Sequence, residues 1–207
     1  MVVLFDFDGV LVDTETQYSR FWDGIGRDFL GVDDFGWTIK GQTLKQIYDR
    51  HIPSREDQEK VTMLLDEFEK NMSYDFLPGV ERFLTELKAA GIPAAIVTSS
   101  NDKKMANVHR AHPELSGLID RILTSEDFTK SKPDPECFLK GMEVLGGVPS
   151  ETVVFEDSLH GLTAGRASGA RVIGLSTTFP ADRIASLCDM VIPDFTDLSL
   201  HDLLSVI

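Results

Sequence analysis

The hydrophobic pattern opens on an unbroken apolar run, Val2-Val3-Leu4-Phe5, that stops at Asp6-Phe7-Asp8-Gly9. A short apolar run closed by a glycine predicts a buried strand. From about Asp13 to Leu77 the strand signal is lost and the chain turns polar. Within that block Val61, Leu64, Leu65, Phe68 and Met72 recur at three- and four-residue spacing, which predicts the apolar face of an amphipathic helix. Pro78-Gly79 then punctuates the chain. Beyond it, a helix on Val80, Phe83, Leu84 and Leu87 stops at Gly91 and a strand runs from Ala94 to Val97. The same alternation continues: a short strand near Arg121 to Leu123, a helix on Phe138, Met142 and Leu145, a strand at Thr152 to Phe155, and a helix ending at Ser168-Gly169. Strands at Val172 to Leu175 and Met190 to Ile192 follow, and Ser199 to Asp202 has the spacing of a capping box for a terminal helix.

Strands alternating with helices predict right-handed crossovers and a parallel sheet covered on both faces. The expected fold class is α/β, with a Rossmann-like parallel sheet core interrupted by an inserted all-helical cap. The core comprises residues 1–13 and 79–207, and the cap residues 14–78. Trp22, Trp37, Phe21 and Phe35 are expected to form the cap's own small core.

Composition narrows the function. With 207 residues, 42% of them hydrophobic and 26% charged, the chain can bury a core without staples and has no low-complexity tract. A net charge of -14 excludes a nucleic-acid partner, because a polyphosphate backbone demands a basic face. Small anionic substrates stay open, since a metal ion and a few placed cations reverse the field locally. Cys137 and Cys188 sit in or beside apolar patterns, so buried thiols and no disulfide are expected. The sequence opens on its first strand and contains no membrane-spanning run, so no membrane partner, a cytoplasmic location and a monomer are the expectations.

In open parallel sheets, ligands bind beyond the carboxyl ends of the strands. Asp6 and Asp8 leave the first strand at that end. Two carboxylates so close need a cation or a shared proton, so either Mg2+ or one raised pKa is implied. A lone Asp-x-Asp pair is more often a turn with a helix cap, and Lys132 before a proline is by itself a solvated loop lysine. Taken together, however, Asp6 and Asp8, Thr98-Ser99-Ser100-Asn101, Lys132-Pro133 and Glu156-Asp157 all follow predicted strands. They supply a nucleophile, an acid, hydroxyl donors, a cation and metal ligands, the set that phosphoryl transfer requires. Asp6 is expected to attack phosphorus, and Asp8 to protonate the leaving oxygen and deprotonate water, a task that suits a raised carboxyl pKa. Asp157, the Asp6 carboxylate and the Asp8 carbonyl are expected to hold Mg2+, with Glu156 as a further ligand or an orienter of metal water. Thr98, Ser99 and the amides at the following helix start would bind phosphoryl oxygens, and Thr98 and Ser99 would also cap that helix. Lys132 would neutralise the phosphoryl charge. Asp13, Thr14 and Glu15 are read as hinge and first cap turn, Thr14 also being a candidate substrate contact. The histidines, His160 included, are read as surface residues.

Asp6-Phe7-Asp8-Gly9-Val10, Thr98, Lys132 and Glu156-Asp157, in that order, resemble the four motifs of the haloacid dehalogenase superfamily. The helical insertion after the first motif is similar to the cap of the subgroup containing beta-phosphoglucomutase and many small-metabolite phosphatases. The second aspartate, Asp8, implies phosphate monoester chemistry. Relative to beta-phosphoglucomutase, Tyr18 stands where the cap helix has a histidine, and Leu44 where a cap loop has the arginine that binds a second phosphate. Lys40-Gly41 is similar to the start of that loop. An uncharged leucine cannot bind the far phosphate of a bisphosphate, which favours hydrolysis. The resemblance implies a Mg2+-dependent phosphatase of small phosphorylated metabolites such as sugar phosphates. The alternatives are an intramolecular sugar phosphomutase and, from another class, a catalytically idle regulatory or binding protein.

Overall fold

In the computed structural model, which describes residues 1–40 and 42–207, the first apolar run lies at the centre of the molecule. It forms β1 (Val2–Phe5), with β2 (Ala94–Val97), β3 (Arg121–Leu123), β4 (Thr152–Glu156), β5 (Arg171–Leu175) and β6 (Met190–Ile192) in one sheet. The order is β3-β2-β1-β4-β5-β6, and every pairing is parallel. β1 is paired on both sides, which is why all four of its residues are apolar and buried. Successive side chains point to opposite faces. Val3 and Phe5 pack with Phe83, Phe155 and Phe195, the Phe5 and Phe155 rings stacking with centroids 4.8 Å apart. Leu4 packs on the other face with Val97, Phe138 and Met142. Truncating Leu4 to alanine would cost about 2–5 kcal/mol.

Among the described residues, four helices fill the block that follows β1: α1 (Glu15–Ile25, running on as a π turn over Gly26–Leu30), α2 (Phe35–Thr38), α3 (Leu44–His51) and α4 (Arg55–Asn71). They bury Trp22, Ile25, Phe35, Ile47, Val61 and Leu65 in a separate cluster. α3 begins with a capping box between Thr43 and Gln46, and the Ser54 hydroxyl caps α4. The covering helices are α5 (Val80–Ala89), α6 (Asp102–Ala111), α7 (Leu115–Leu118), α8 (Glu136–Leu145), α9 (Leu159–Ala167), α10 (Ala181–Ile184) and α11 (Leu200–Val206). α5, α6 and α11 supply Phe83, Val108 and Leu203 to one face of the sheet, while α8 and α9 supply Phe138 and Ala164 to the other. The expected capping box at Ser199 and Asp202 is present. None of the described helices is long and apolar enough to cross a membrane.

Three expectations are corrected. Leu64 is 48% exposed, because the inward stripe of α4 runs through Val61, Leu65 and Phe68, and position 64 lies a quarter-turn away. Trp37 is 58% exposed and rests against Phe179 of the sheet-bearing part instead of joining the cap's core. Cys137 is buried as expected, whereas Cys188 is half-buried; both are free thiols.

Two chain segments join the helical block to the rest, and they are paired with each other. Asp13 N–H donates to Asp75 O at 2.9 Å, Leu77 N–H donates to Leu11 O at 3.0 Å, and Val12 forms an antiparallel bridge with Phe76.

Candidate active site

β1 ends at Phe5, and the chain turns sharply over Asp6 to Val12, with Gly9 N–H donating to Val12 O at 2.9 Å. Gly9 sits at φ +70°, and a Cβ there would collide with the Asp157 carboxylate. Glycine therefore serves two needs: it permits the left-handed turn and it lets Asp157 come close. Asp6, Asp8, Thr98, Ser99, Lys132, Glu156 and Asp157 all line a cleft of about 320 Å³ between the strand ends and the helical block. Of the cap positions singled out in the sequence, Tyr18, Lys40 and Leu44 line the same cleft. Thr14 does not, and Gly41 lies outside the described residues.

Two lysine-centred networks occupy the floor. In the first, Lys132 Nζ donates to Asp6 Oδ1 at 2.9 Å and to Glu156 Oε1 at 2.7 Å, with the Val97 carbonyl at 3.3 Å. Its ammonium lies 4.9 Å from the Phe138 ring centroid. Burial alone would depress this lysine's pKa, but the Asp6 and Glu156 carboxylates outweigh it and raise the pKa, so it stays a cation. The peptide bond from Lys132 to Pro133 is cis. Glu156 is fully buried, and its Oε2 accepts from Asp157 N at 2.9 Å and Ser158 N at 2.8 Å. Both of its oxygens are thus engaged in holding Lys132 and the following loop.

Asp6, Glu156 and Asp157 bring carboxylate oxygens within 4.8 Å of one another. Burial pushes the Asp6 carboxyl up to about 7, Lys132 opposing and Glu156 reinforcing the shift. Asp157 is raised well above the ordinary carboxylate range by burial, then by Glu156, Asp6 and Glu15. The Thr178 hydroxyl, from the loop after β5, donates to Asp157 Oδ2. Three hard oxygen donors crowded with a single ammonium carry more negative charge than their neighbours neutralise. Such a donor set fits a divalent cation of the Mg2+ type. The Asp8 side chain is outside this cluster.

The second network surrounds Asp8. Lys104 Nζ, from the first turn of α6, donates to Asp8 Oδ1 at 2.6 Å and Oδ2 at 2.5 Å. Thr14 Oγ1 donates to Oδ1 at 2.7 Å and Ser100 Oγ to Oδ2 at 3.0 Å. Burial would lift this carboxyl, but Lys104, Thr14 and Ser100 more than offset it and hold the pKa below its ordinary value. The sequence reading, which gave Asp8 the raised pKa, is corrected: burial raises the Asp6 carboxyl instead, and Lys104 holds Asp8 down. Thr14 caps no amide and touches Asp8 instead. Above the lysine, Tyr18 presents its ring face at 4.6 Å and its hydroxyl donates to Glu69 Oε1 at 2.8 Å. Glu69, on α4, is itself buried, which raises its carboxyl against the pull of Lys104 and Tyr18. At the rim Lys40 pairs with Glu15 at 2.9 Å.

Thr98 is 1% exposed and its Oγ1 accepts from Ser100 N–H at 3.0 Å, whereas Ser99 is exposed to the cleft. Neither caps α6, which starts three residues later with the Asn101 side chain as its cap; the turn at 98–100 takes up the intervening chain. His160, read as solvent-facing, is half-buried in the cleft wall, because α9 begins two residues after Asp157 and turns its first residues toward the site. Lys104, Glu69 and Thr178 were not singled out in the sequence. Helical spacing could have found the first two: Lys104 lies four residues before the buried Val108, and Glu69 four after the buried Leu65.

The family model described as "Haloacid dehalogenase-like hydrolase" matches residues 3–175. The chain is 31% identical over 209 residues to hexitol phosphatase A of Escherichia coli, covering 97% of this chain and 90% of that protein. It is 27% identical over 213 residues to the bifunctional riboflavin kinase/FMN phosphatase of Arabidopsis thaliana, where it spans 54% of the relative's length. Among solved structures, a family IA, variant 3 hydrolase from Entamoeba histolytica superposes with a TM-score of 0.88 at 24% identity, covering 99% of this chain and 98% of that one.

Proposed function

Because the chain belongs to the haloacid dehalogenase-like hydrolase family, we propose that it is a phosphatase of a small phosphorylated metabolite, working through a phosphorylated Asp6 with Mg2+ as cofactor. The observation that carries this reading is the pair of aspartates two residues apart whose environments diverge: Asp6 is joined to Lys132 beside Asp157, and Asp8 is held apart by a separate set of donors. Groups with opposed environments at one site are the mark of divided acid–base and nucleophilic labour.

In the proposed reaction an Asp6 oxygen forms a bond to phosphorus as the bond from phosphorus to the ester oxygen breaks. Asp8, which its donors hold ionised at rest, takes up a proton from solvent as the anionic substrate binds and passes it to that oxygen. In the second half, water attacks phosphorus, Asp8 takes its proton, and the bond to Asp6 breaks, releasing inorganic phosphate. Lys132 keeps the Asp6 carboxylate oriented and offsets negative charge on the phosphoryl group, while the Thr98 hydroxyl and the Ser99 amide would donate to its oxygens. Asp6 and Asp157 would hold Mg2+, which would supply neutralisation of the transferring phosphoryl group. Glu156, engaged at both oxygens, positions Lys132. Residues 1–13 and 79–207 act as the core and 14–78 as the cap that excludes bulk water.

Leu44 lines the cleft where a phosphomutase would need a cation, which supports water over a second substrate hydroxyl as the acceptor. The test is phosphate release from a panel of phosphate esters with Mg2+, beside a glucose 1-phosphate to glucose 6-phosphate assay primed with a bisphosphate. Release that stops with EDTA and resumes with Mg2+ is the expected result. Isomerisation without release would overturn hydrolysis in favour of the mutase, and inactivity on the whole panel would favour a regulatory protein.

A further inference from the structure

Lys104 is a buried cation to which the reaction above assigns no task. Its side chain is 3% exposed, and its ammonium lies between the Asp8 carboxylate and the face of Tyr18. Attack by Asp6 is in line, so the leaving oxygen departs on the side away from Asp6, where Asp8 must reach it. An oxygen within hydrogen-bond reach of either Asp8 oxygen stands within about 6 Å of Lys104 Nζ. Both Asp8 oxygens are committed to Lys104, so an Asp8 oxygen that turns to the leaving group withdraws from the ammonium. The ammonium then keeps the other Asp8 oxygen and the more distant pull of Glu69, and an anion arriving with the leaving group would replace the contact it gives up. On the same wall Lys40 is paired with Glu15, while Glu69 accepts from the Tyr18 hydroxyl and feels the Lys104 charge.

We propose that Lys104 is a specificity-determining residue that selects substrates whose leaving group is itself an anion, carrying a phosphoryl or carboxyl group on the scissile oxygen or within two bonds of it. This inference rests on the phosphatase reading. A neutral polyol leaving group would offer the ammonium only hydroxyls, whereas an anionic one restores a charge-assisted pair that strengthens as negative charge develops on the departing oxygen.

The experiment measures kcat/KM for phosphate release, with Mg2+, from inorganic pyrophosphate, 2-phosphoglycolate and glycerol 1-phosphate, using the wild-type protein, Lys104→Gln and Lys104→Arg. The wild type is expected to prefer one of the two anionic-leaving-group substrates over glycerol 1-phosphate. Which one it prefers identifies the anion as phosphoryl or carboxyl. Lys104→Gln should shrink that preference by about 10–100-fold, the worth of a charged hydrogen bond, while Lys104→Arg keeps most of it. Preference for glycerol 1-phosphate in the wild type, or an equal fall on all three substrates in Lys104→Gln, overturns the inference and leaves the phosphatase reading standing. Absence of phosphate release from every ester by folded wild-type protein overturns the phosphatase reading itself. Should Lys104→Gln not fold, the wild-type preference and its retention in Lys104→Arg decide the matter.

Discussion

The two lysine networks on the cleft floor are built from the same groups and behave differently. Around Lys132 every partner comes from a strand end or the turn beyond it, the carboxylates are almost wholly buried, and one ammonium serves both Asp6 and Glu156. Around Lys104 a single carboxylate, Asp8, takes four hydrogen bonds from three side chains, and the aromatic ring and second acid come from the cap. One network has too few donors for its carboxylates, and the other has a surplus of donors on one carboxylate. Crowding with too little positive charge makes the first a place for a cation and a nucleophile. Donor surplus keeps the second carboxylate ionised at rest, able to accept a proton when its donors are disturbed.

The difference breaks most sharply at the nucleophile. Asp6→Asn should lower turnover at least about 1,000-fold while the far-UV circular dichroism stays that of the wild type. Retained phosphate release would remove Asp6 from the mechanism. Next comes stability. Lys132→Met leaves Asp6 and Glu156 buried without their shared cation and should cost about 3–5 kcal/mol in urea unfolding. Lys104→Met should cost less, about 1–3 kcal/mol, because Asp8 is 22% exposed and keeps Thr14 and Ser100 as donors. Equal costs would mean that the two networks are not distinct.

A pH experiment sharpens the same contrast. The folded-state pKa of Asp6, about 7, lies above its unfolded value near 3.8. The folded protein therefore binds the extra proton between those values. Its contribution to stability is full below about 4 and is lost as pH rises through about 7. Mg2+ needs the carboxylate, so it competes with that proton. The rise in Tm on adding saturating Mg2+ should be larger at pH 8 than at pH 5.5, by about 3 °C or more. A rise that is equal, or larger at pH 5.5, would show that the acidic cluster does not hold the ion. The smallest effect belongs to Lys103, which pairs with Asp66 of α4 at 2.5 Å but is 64% exposed. Lys103→Ala should change unfolding free energy by less than about 1 kcal/mol. A larger loss would mean that the cap is fastened to α6 by charge.

The sequence made one network legible and not the other. The apolar run of β1, the carboxylates that end it, and the polar clusters after β2 and β4 could be read because a parallel sheet dictates where strand ends point. Lys132 was readable only as part of that pattern. Lys104 belongs to an Asp-Lys-Lys start of helix that reads as solvated surface, and its burial depends on Asp8 lying 96 residues away. Glu69 stands in a run of charges on α4 that looks fully exposed until the cap is folded down on the strand ends. Trp37 failed for the same kind of reason: its contact with Phe179 crosses between cap and core, a distance no local pattern encodes. The pKa assignment of the two aspartates inverted because the sequence shows that they are neighbours but not which lysine each will meet.

The pairing of the two connecting segments has a consequence for how this molecule could be rebuilt. The chain enters the helical block just after Asp13 and comes back past Asp75, and those two residues are one hydrogen bond apart. To the sheet, the entire helical block is spliced into what is geometrically a narrow loop. It could be excised, or exchanged for a module of another shape, without stretching β1 or displacing Lys132 from Asp6. Such a graft would carry away Tyr18 and Glu69 and leave Lys104 behind, so a transplanted roof would inherit the floor's chemistry but not its choice of guest.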